Sequence, residues 1–256
     1  MLLGIDHLVV VVPDLEIASR NYGELGFTVV PGGRHPVGTH NALISFEDES
    51  YIELIAFYES NPEHRWWAPL QKGGGLVDFC MRTDDLRRDT TAFRQAGVNI
   101  DDPKPQTRVR PDGYQLRWVL SIPRDPHRGV APFLIQDETS REERVPRQMA
   151  HRNQVKGIAA LTVVVGDVAP VRHWYAPVLG DSGRDVDRDA LAAAGARFAI
   201  GPHVLDFVAP HGARSPLGEW LSARGASHYA ATLRTVPGKT GSLDATKTLG
   251  ARLSLV

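Results

Sequence analysis

Cysteine is nearly missing from this chain: Cys80 is the only one in 256 residues. No intrachain disulfide can form, and no thiolate cluster can hold zinc. Cys80 lies in the apolar run Leu76-Val77-Asp78-Phe79-Cys80-Met81, where it reads as a small packed side chain rather than a nucleophile. An excess of either charge is also absent. Lys and Arg total 29 against 30 Asp and Glu, a formal net charge of −1, so no global field draws the protein to nucleic acid or anionic lipid. No apolar run approaches the ~20 residues that a membrane helix needs, and the N-terminus has no signal-like segment. The expectation is a cytoplasmic protein with neither nucleic acid nor a membrane as partner. The familiar phosphate and nucleophile motifs fail as well. Gly238-Lys239-Thr240 has Leu233 where a phosphate loop needs glycine, and Ser215 has Ala213 two positions before it, so no nucleophile elbow exists. No strand–GxGxxG–helix unit exists for a dinucleotide.

What the chain does contain is a repeated interval. Gly4-Ile5-Asp6-His7-Leu8-Val9-Val10-Val11-Val12-Pro13-Asp14 places an acid seven positions after His7, across an apolar run. Asp78 and Asp85 repeat the spacing, as do Ala160 and Asp167; a weaker fourth copy begins near Gly225-Ala226-Ser227-His228. A period of roughly 70–80 residues predicts one supersecondary unit used four times, with a site where units meet. Each opening run is β-branched and is followed by an acid able to cap a helix. Apolar residues then recur at helical spacing after Asp14, Asp85 and Asp167, and Gly26, Gly97 and Gly180 end those helices. Strands are expected at Phe27–Val30, Ala42–Phe46 and Tyr51–Phe57, then near Tyr114–Ile122 and Ala131–Gln136. The unit is therefore βαβββ.

The residues Ile5-Asp6-His7-Leu8-Val9-Val10-Val11 with Asp14-Leu15, Leu25-Gly26-Phe27 and Tyr51-Ile52-Glu53-Leu54 resemble the vicinal oxygen chelate superfamily, which includes glyoxalase I, bleomycin-resistance proteins and extradiol dioxygenases. Residues 1 to about 136 look closest to a glyoxalase-like subfamily. The resemblance implies an α+β fold of paired βαβββ modules forming curved, cup-shaped mixed sheets. On that frame residues 1–137 form a complete module pair, the charged stretch 138–156 a linker, and 157–256 a second, incomplete pair whose last module has a strand (Ser227–Arg234), a helix near Thr240–Leu249 and one closing strand (Arg252–Val256).

The resemblance also implies four metal ligands from first and last strands: His7, Glu53, Asp78 and Gln136. The cofactor would be a divalent metal (Mn, Fe, Ni, Zn or Mg), and none organic; the partners would be a small-molecule substrate and a second copy in a homodimer. The family pattern usually has His or Gln at the Asp78 position and Glu at the last, so this set is oxygen-rich and tilts toward Mn(II), Fe(II) or Mg(II). Read from the residues themselves, His7 alone reads more readily as a hydrogen-bonded core histidine. Glu53 weighs toward function, because an acid inside Tyr51-Ile52-Glu53-Leu54-Ile55-Ala56 is costly to bury unpaired. Asp78 is open between ligand and cap or ion pair, and a one-residue register slip would turn Gln136 to the other face.

Two further groups are candidates for catalysis: Glu53 as a base raised by burial, and His40 as an acid–base beside it. His35 and His40 flank a Gly-rich stretch expected to cover the pocket, and Trp66-Trp67 either wall it or pack a loop down. Arg108, Arg110 and Arg117 read more readily as solvated surface cations than as carboxylate receptors. In the second half Ala160 replaces His7, and Asp206 and His228 are expected to form a buried pair. The functions these features imply are a metal-dependent lyase, isomerase or dioxygenase, a metal-free lyase or isomerase, or a non-catalytic sequestering cup.

Overall fold

In the computed structural model, which describes residues 1–110 and 112–256, the first half closes on itself. β1 (Leu2–Val11), β2 (Val30–Arg34), β3 (Thr39–Ser45), β4 (Tyr51–Phe57), β5 (Gly75–Thr83), β6 (Lys104–Val109), β7 (Gln115–Ser121) and β8 (Phe133–Asp137) form a barrel in the order β1-β4-β3-β2-β6-β7-β8-β5. Each module contributes four adjacent strands, and the two sets meet along β1–β5 and β2–β6. The first seam is long and antiparallel; the second rests on the single pair Arg34↔Val109. Closure there needs Gly33, because a Cβ on it would lie 2.4 Å from the Val109 carbonyl oxygen.

Helices α1 (Leu15–Glu24) and α3 (Leu86–Gln95) follow β1 and β5. The repeated acids start them: Asp14 Oδ1 accepts from the Ile17 amide at 2.8 Å, and Asp85 Oδ1 accepts from the Arg88 amide at 3.0 Å. These bonds satisfy orphan first-turn donors, which explains why the acid recurs at a fixed distance from each strand. Asp167 stands one residue earlier relative to its helix, α5 (Ala169–Leu179), whose N-cap is Val168, and accepts from the first helical amide, that of Ala169, at 2.9 Å. A short α2 (Trp67–Gln71) precedes β5, and α4 (Arg141–Arg144) follows β8.

The second half is an open sheet. β9 (Gly157–Val164), β10 (Arg184–Arg188), β11 (Ala193–Ile200), β12 (His203–Pro210), β13 (Ser227–Arg234), β14 (Gly241–Ser242) and β15 (Leu253–Leu255) lie in the order β10-β11-β12-β9-β13-β15-β14, with α6 (Pro216–Arg224) between β12 and β13. The helix expected near Thr240–Leu249 does not form. Gly241-Ser242 instead pairs with Leu255 and Ser254, and turns follow, with Leu249 held at φ +53°.

Alternation along the barrel strands sorts the side chains. Leu8, Val10, Ile52, Leu54, Phe79 and Met81 point outward into one core that continues through Phe93 to Tyr175, Phe198 and Phe207 of the second half. Val9, Val11, Ile55, Cys80, Leu116, Trp118, Phe133 and Ile135 pack inside. No helix is long and apolar enough to cross a membrane.

His228 sits between the halves and does not pair with Asp206. Asp206 instead receives a two-point bond from Arg197 (2.7 and 2.9 Å) and a further one from Arg188. The correction follows from the alternating pleat, which sends Asp206 to the face carrying those arginines. His228 packs edge-on to Phe79 at 5.4 Å, and neither ring nitrogen has a well-formed hydrogen bond among the described residues. Burial lowers its pKa from 6.5 to about 4, against the weaker opposing pull of Asp78 and the Val77 backbone. The unfolded chain therefore takes up a proton here that the folded chain refuses. Stability is full above pH 6.5 and declines as pH falls toward 4, by at most about 3 kcal/mol from this ring. His228→Leu should shrink the difference in urea-unfolding free energy between pH 7 and pH 5 by about 2 kcal/mol; an unchanged difference would contradict the assignment.

Candidate functional site

The barrel encloses a cavity of about 580 Å³. At its floor His7 on β1 and Glu53 on β4 converge, with His7 Nε2 3.5 Å from Glu53 Oε2. Their strands run parallel with Val9 opposite Glu53, so both polar side chains share the inward face that the β-branched neighbours also line. His7 is oriented from behind: Nδ1 lies 2.8 Å from Asp6 Oδ1 and stacks 4.5 Å from Tyr51. Because Asp6 is an ionised acceptor, Nδ1 donates to it, and the ring's other nitrogen, Nε2, faces Glu53 in the cavity.

Asp6 is held by arginines that the sequence placed in a linker. Arg144 is 3% exposed and donates to both Asp6 oxygens at 3.0 Å, to both Asp137 oxygens at 2.5 and 2.9 Å, and to the Tyr51 hydroxyl at 2.8 Å. Arg141 also bonds Asp6. Burial would raise the Asp6 pKa, but Arg144, Arg141 and His7 outweigh it and hold the carboxyl well below the usual range. The stretch after Asp137 therefore plugs the barrel. The signal in the sequence was Asp6 itself, an acid in a buried strand that requires cations from elsewhere.

Glu53 is likewise fixed. Asn41 Nδ2 donates to Oε1 at 2.5 Å, and Arg108 Nη1 donates to Asn41 Oδ1 at 3.2 Å. Burial pushes its pKa up, yet His7, His35, the Asn41 bond and Arg108 pull harder, and the carboxyl stays below the ordinary value. It is an ionised carboxylate, not the raised base expected. Arg108 is 4% exposed and lines the cavity, contrary to its reading as a solvated surface cation.

Three sequence candidates lie elsewhere. His40 pairs across β3–β4 with Ala56, so alternation turns it outward, edge-on to Tyr58. It is Thr39 and Asn41 that face in. Gln136 is exposed, and its Oε1 accepts the Leu86 amide at 3.0 Å on α3. The register explains this. Cys80 follows Val9 by the same interval that separates Asp78 from His7. Glu53 lies opposite Val9, and Phe133 lies opposite Cys80. Phe133, not Gln136, therefore occupies the fourth ligand position. Asp78 does hold the position equivalent to His7, but it is turned to other work. Its Oδ2 accepts from Trp66 Nε1 at 2.9 Å and lies 3.6 Å from Arg65 Nε, while Oδ1 accepts the Phe79 amide at 3.0 Å.

These facts decide how a divalent metal fits. Asp6, His7 and Cys80 each offer a donor atom within 4.8 Å of one another, but Asp6 is saturated by arginines, and burial drives the Cys80 thiol pKa well up. Of the four expected positions, Phe133 offers no donor, and the Asp78 oxygens accept from Trp66 Nε1 and the Phe79 amide. The guanidiniums of Arg65, Arg108 and Arg144 line the same cavity, so a dication would meet repulsion from three sides. The donor set does not fit a resident metal ion.

A glyoxalase-like domain model matches residues 5–179. The chain belongs to the glyoxalase-like domain family. A solved structure described as a hypothetical protein from Staphylococcus aureus aligns over 100% of this glyoxalase-like chain and 99% of its own, at 16% identity and a TM-score of 0.72. A mutant 4-hydroxymandelate synthase from Streptomyces coelicolor aligns over 98% of this chain and 75% of its own, at 14% identity and a TM-score of 0.58. At these identities the likeness establishes the vicinal oxygen chelate fold. A comparison with curated proteins finds no match.

Proposed function

We propose that the barrel of this glyoxalase-like protein binds a small organic molecule, and that His7 and Glu53 move a proton on it without a metal. The observation that carries this reading is the Asp6–His7–Glu53 line in a cavity walled by Trp66, Trp118 and Phe133 together with the guanidiniums of Arg65, Arg108 and Arg144. Asp6 fixes the tautomer, so the Nε2 lone pair is free to accept a proton from an acidic C–H of the bound molecule. The new N–H then faces Glu53 Oε2, whose negative charge offsets the imidazolium. Return of that proton to a neighbouring atom gives isomerisation; its return to a departing group gives elimination.

A second reading, sequestration without chemistry, draws support from the walls. Trp66, Trp118 and Phe133 supply the flat apolar surface that retains drug-sized molecules. The two readings separate in deuterium oxide. Small carbonyl compounds with an enolisable C–H are incubated with the protein, and loss of that proton signal is followed by NMR. Catalysed exchange that disappears in His7→Ala supports proton transfer. Binding of the same compounds with no exchange supports sequestration.

A further inference from the structure

We infer that Arg65 is the receptor for a carboxylate on the molecule bound in the barrel, so that the cavity takes organic monocarboxylates with an apolar or aromatic body. This rests on the reading of the barrel interior as the binding site.

Arg65 lies in the loop after β4, in the polar run Asn61-Pro62-Glu63-His64-Arg65, yet its side chain is only 12% exposed and lines the cavity. Its guanidinium lies in the corner between two rings: Cζ is 4.4 Å from the Trp66 ring centroid and 4.2 Å from that of Phe133, and the rings themselves are 6.4 Å apart with planes at 57°. The rings hold the cation in place by cation–π contact without accepting a hydrogen bond from its N–H groups. One edge position, Nε, faces Asp78 Oδ2 at 3.6 Å, beyond hydrogen-bonding distance. That oxygen is already taken by Trp66 Nε1 at 2.9 Å. Among the described residues no acceptor receives a hydrogen bond from Arg65. A largely enclosed guanidinium whose donors face the cavity and bond no protein acceptor is placed to receive an anionic group of a ligand.

Position adds to the chemistry. Phe133 holds the slot equivalent to Glu53, and its ring touches both the His7 ring, edge-on at 5.3 Å, and the guanidinium of Arg65. The cation is thus held on the same ring that flanks the His7–Glu53 pair. A carboxylate bonded to Arg65 would lie on the second module's side of the cavity, with the body of the molecule across Trp66 and Trp118 and its far end at the floor. One planar fork matches one carboxylate in two-point fashion. A phosphate dianion would require a second cation beside Arg65; burial takes the His64 and His35 rings down to about 4, Arg144 is bonded to Asp6, Asp137 and Tyr51, and Arg108 is bonded to Asn41.

The test uses 3-phenylpropionate, its neutral amide and phenyl phosphate as probes, titrated calorimetrically into the whole protein at pH 7.5. The variants are Arg65→Lys and the double substitution Arg65→Met with Asp78→Asn, which leaves no orphaned carboxylate behind; circular dichroism verifies folding. The expected result is at least about tenfold preference for the carboxylate over the amide, abolished in the double variant and reduced in Arg65→Lys. Equal affinity for carboxylate and amide, or a preference that survives the double variant, overturns the assignment of Arg65 and leaves the cavity as a binding site. Stronger binding of phenyl phosphate overturns the choice of carboxylate. Failure of every probe, with no competition against an environment-sensitive apolar dye, overturns the barrel-cavity reading together with the role of Arg65.

Discussion

Arg144→Met is expected to lower the free energy of unfolding by about 3–5 kcal/mol, the cost of removing one partner from a buried charge network. Arg144 is the only group that bonds Asp6, Asp137 and the Tyr51 hydroxyl together among the described residues. Its loss leaves two carboxylates in the barrel with reduced compensation, and Asp6 has no solvent access at all. Methionine fills the volume but donates nothing. Arg144→Lys should recover only part of the loss, because one ammonium cannot reproduce two parallel two-point contacts. Urea unfolding followed by circular dichroism measures both variants at pH 7. A loss under ~1 kcal/mol for the methionine variant, the range of exposed ion pairs, would mean that the segment after β8 is docked far more loosely than its contacts require.

The second large effect is on chemistry. His7→Asn is expected to reduce catalysed proton exchange by about 10²–10⁴-fold, the span that a positioned acid–base group contributes, with little change in the concentration of substrate giving half-maximal rate. Glu53→Gln keeps the shape and can still meet Asn41, but it withdraws the charge opposite the imidazolium. Its effect should fall on the rate and lie toward the lower end of that span. The two substitutions act on one proton path, so the double variant should be little worse than His7→Asn alone. Multiplicative losses would show that the two residues work separately.

The legible part of the site was the part where chemistry conflicts with surroundings. His7 and Glu53 interrupt strands that are apolar on both faces, and such interruptions stand out in a sequence. Their convergence needed only the β1–β4 register, which the repeated unit implies. Gln136 was misplaced because the fourth position depends on which residue of β8 lies opposite Cys80, and a parallel pairing leaves no turn in the sequence to set it. His40 failed by one step of the same alternation. β6, Lys104-Pro105-Gln106-Thr107-Arg108-Val109, went unseen because it is a polar closing strand with a proline, joined to β2 through a single pair. Arg65 lies in the polar run after β4 and Arg144 in the charged stretch read as a linker. Their burial is decided by partners distant in sequence, Phe133 for one and Asp6 for the other. The helix expected near the C-terminus gave way to a hairpin because Gly241 and Gly250 break the stretch, and β15 offered β14 an edge to pair with.

The most direct test of the account is metal content after deliberate loading. Protein prepared without an affinity tag is incubated in turn with Mn(II), Fe(II), Ni(II) and Zn(II), desalted and subjected to elemental analysis, with His7→Ala in parallel. The account predicts metal well below one ion per chain and no difference between the two proteins, because Phe133 fills the fourth position and Asp78 is held by Trp66 beside Arg65. One ion per chain that vanishes in His7→Ala would contradict it and return His7 and Glu53 to the role of ligands.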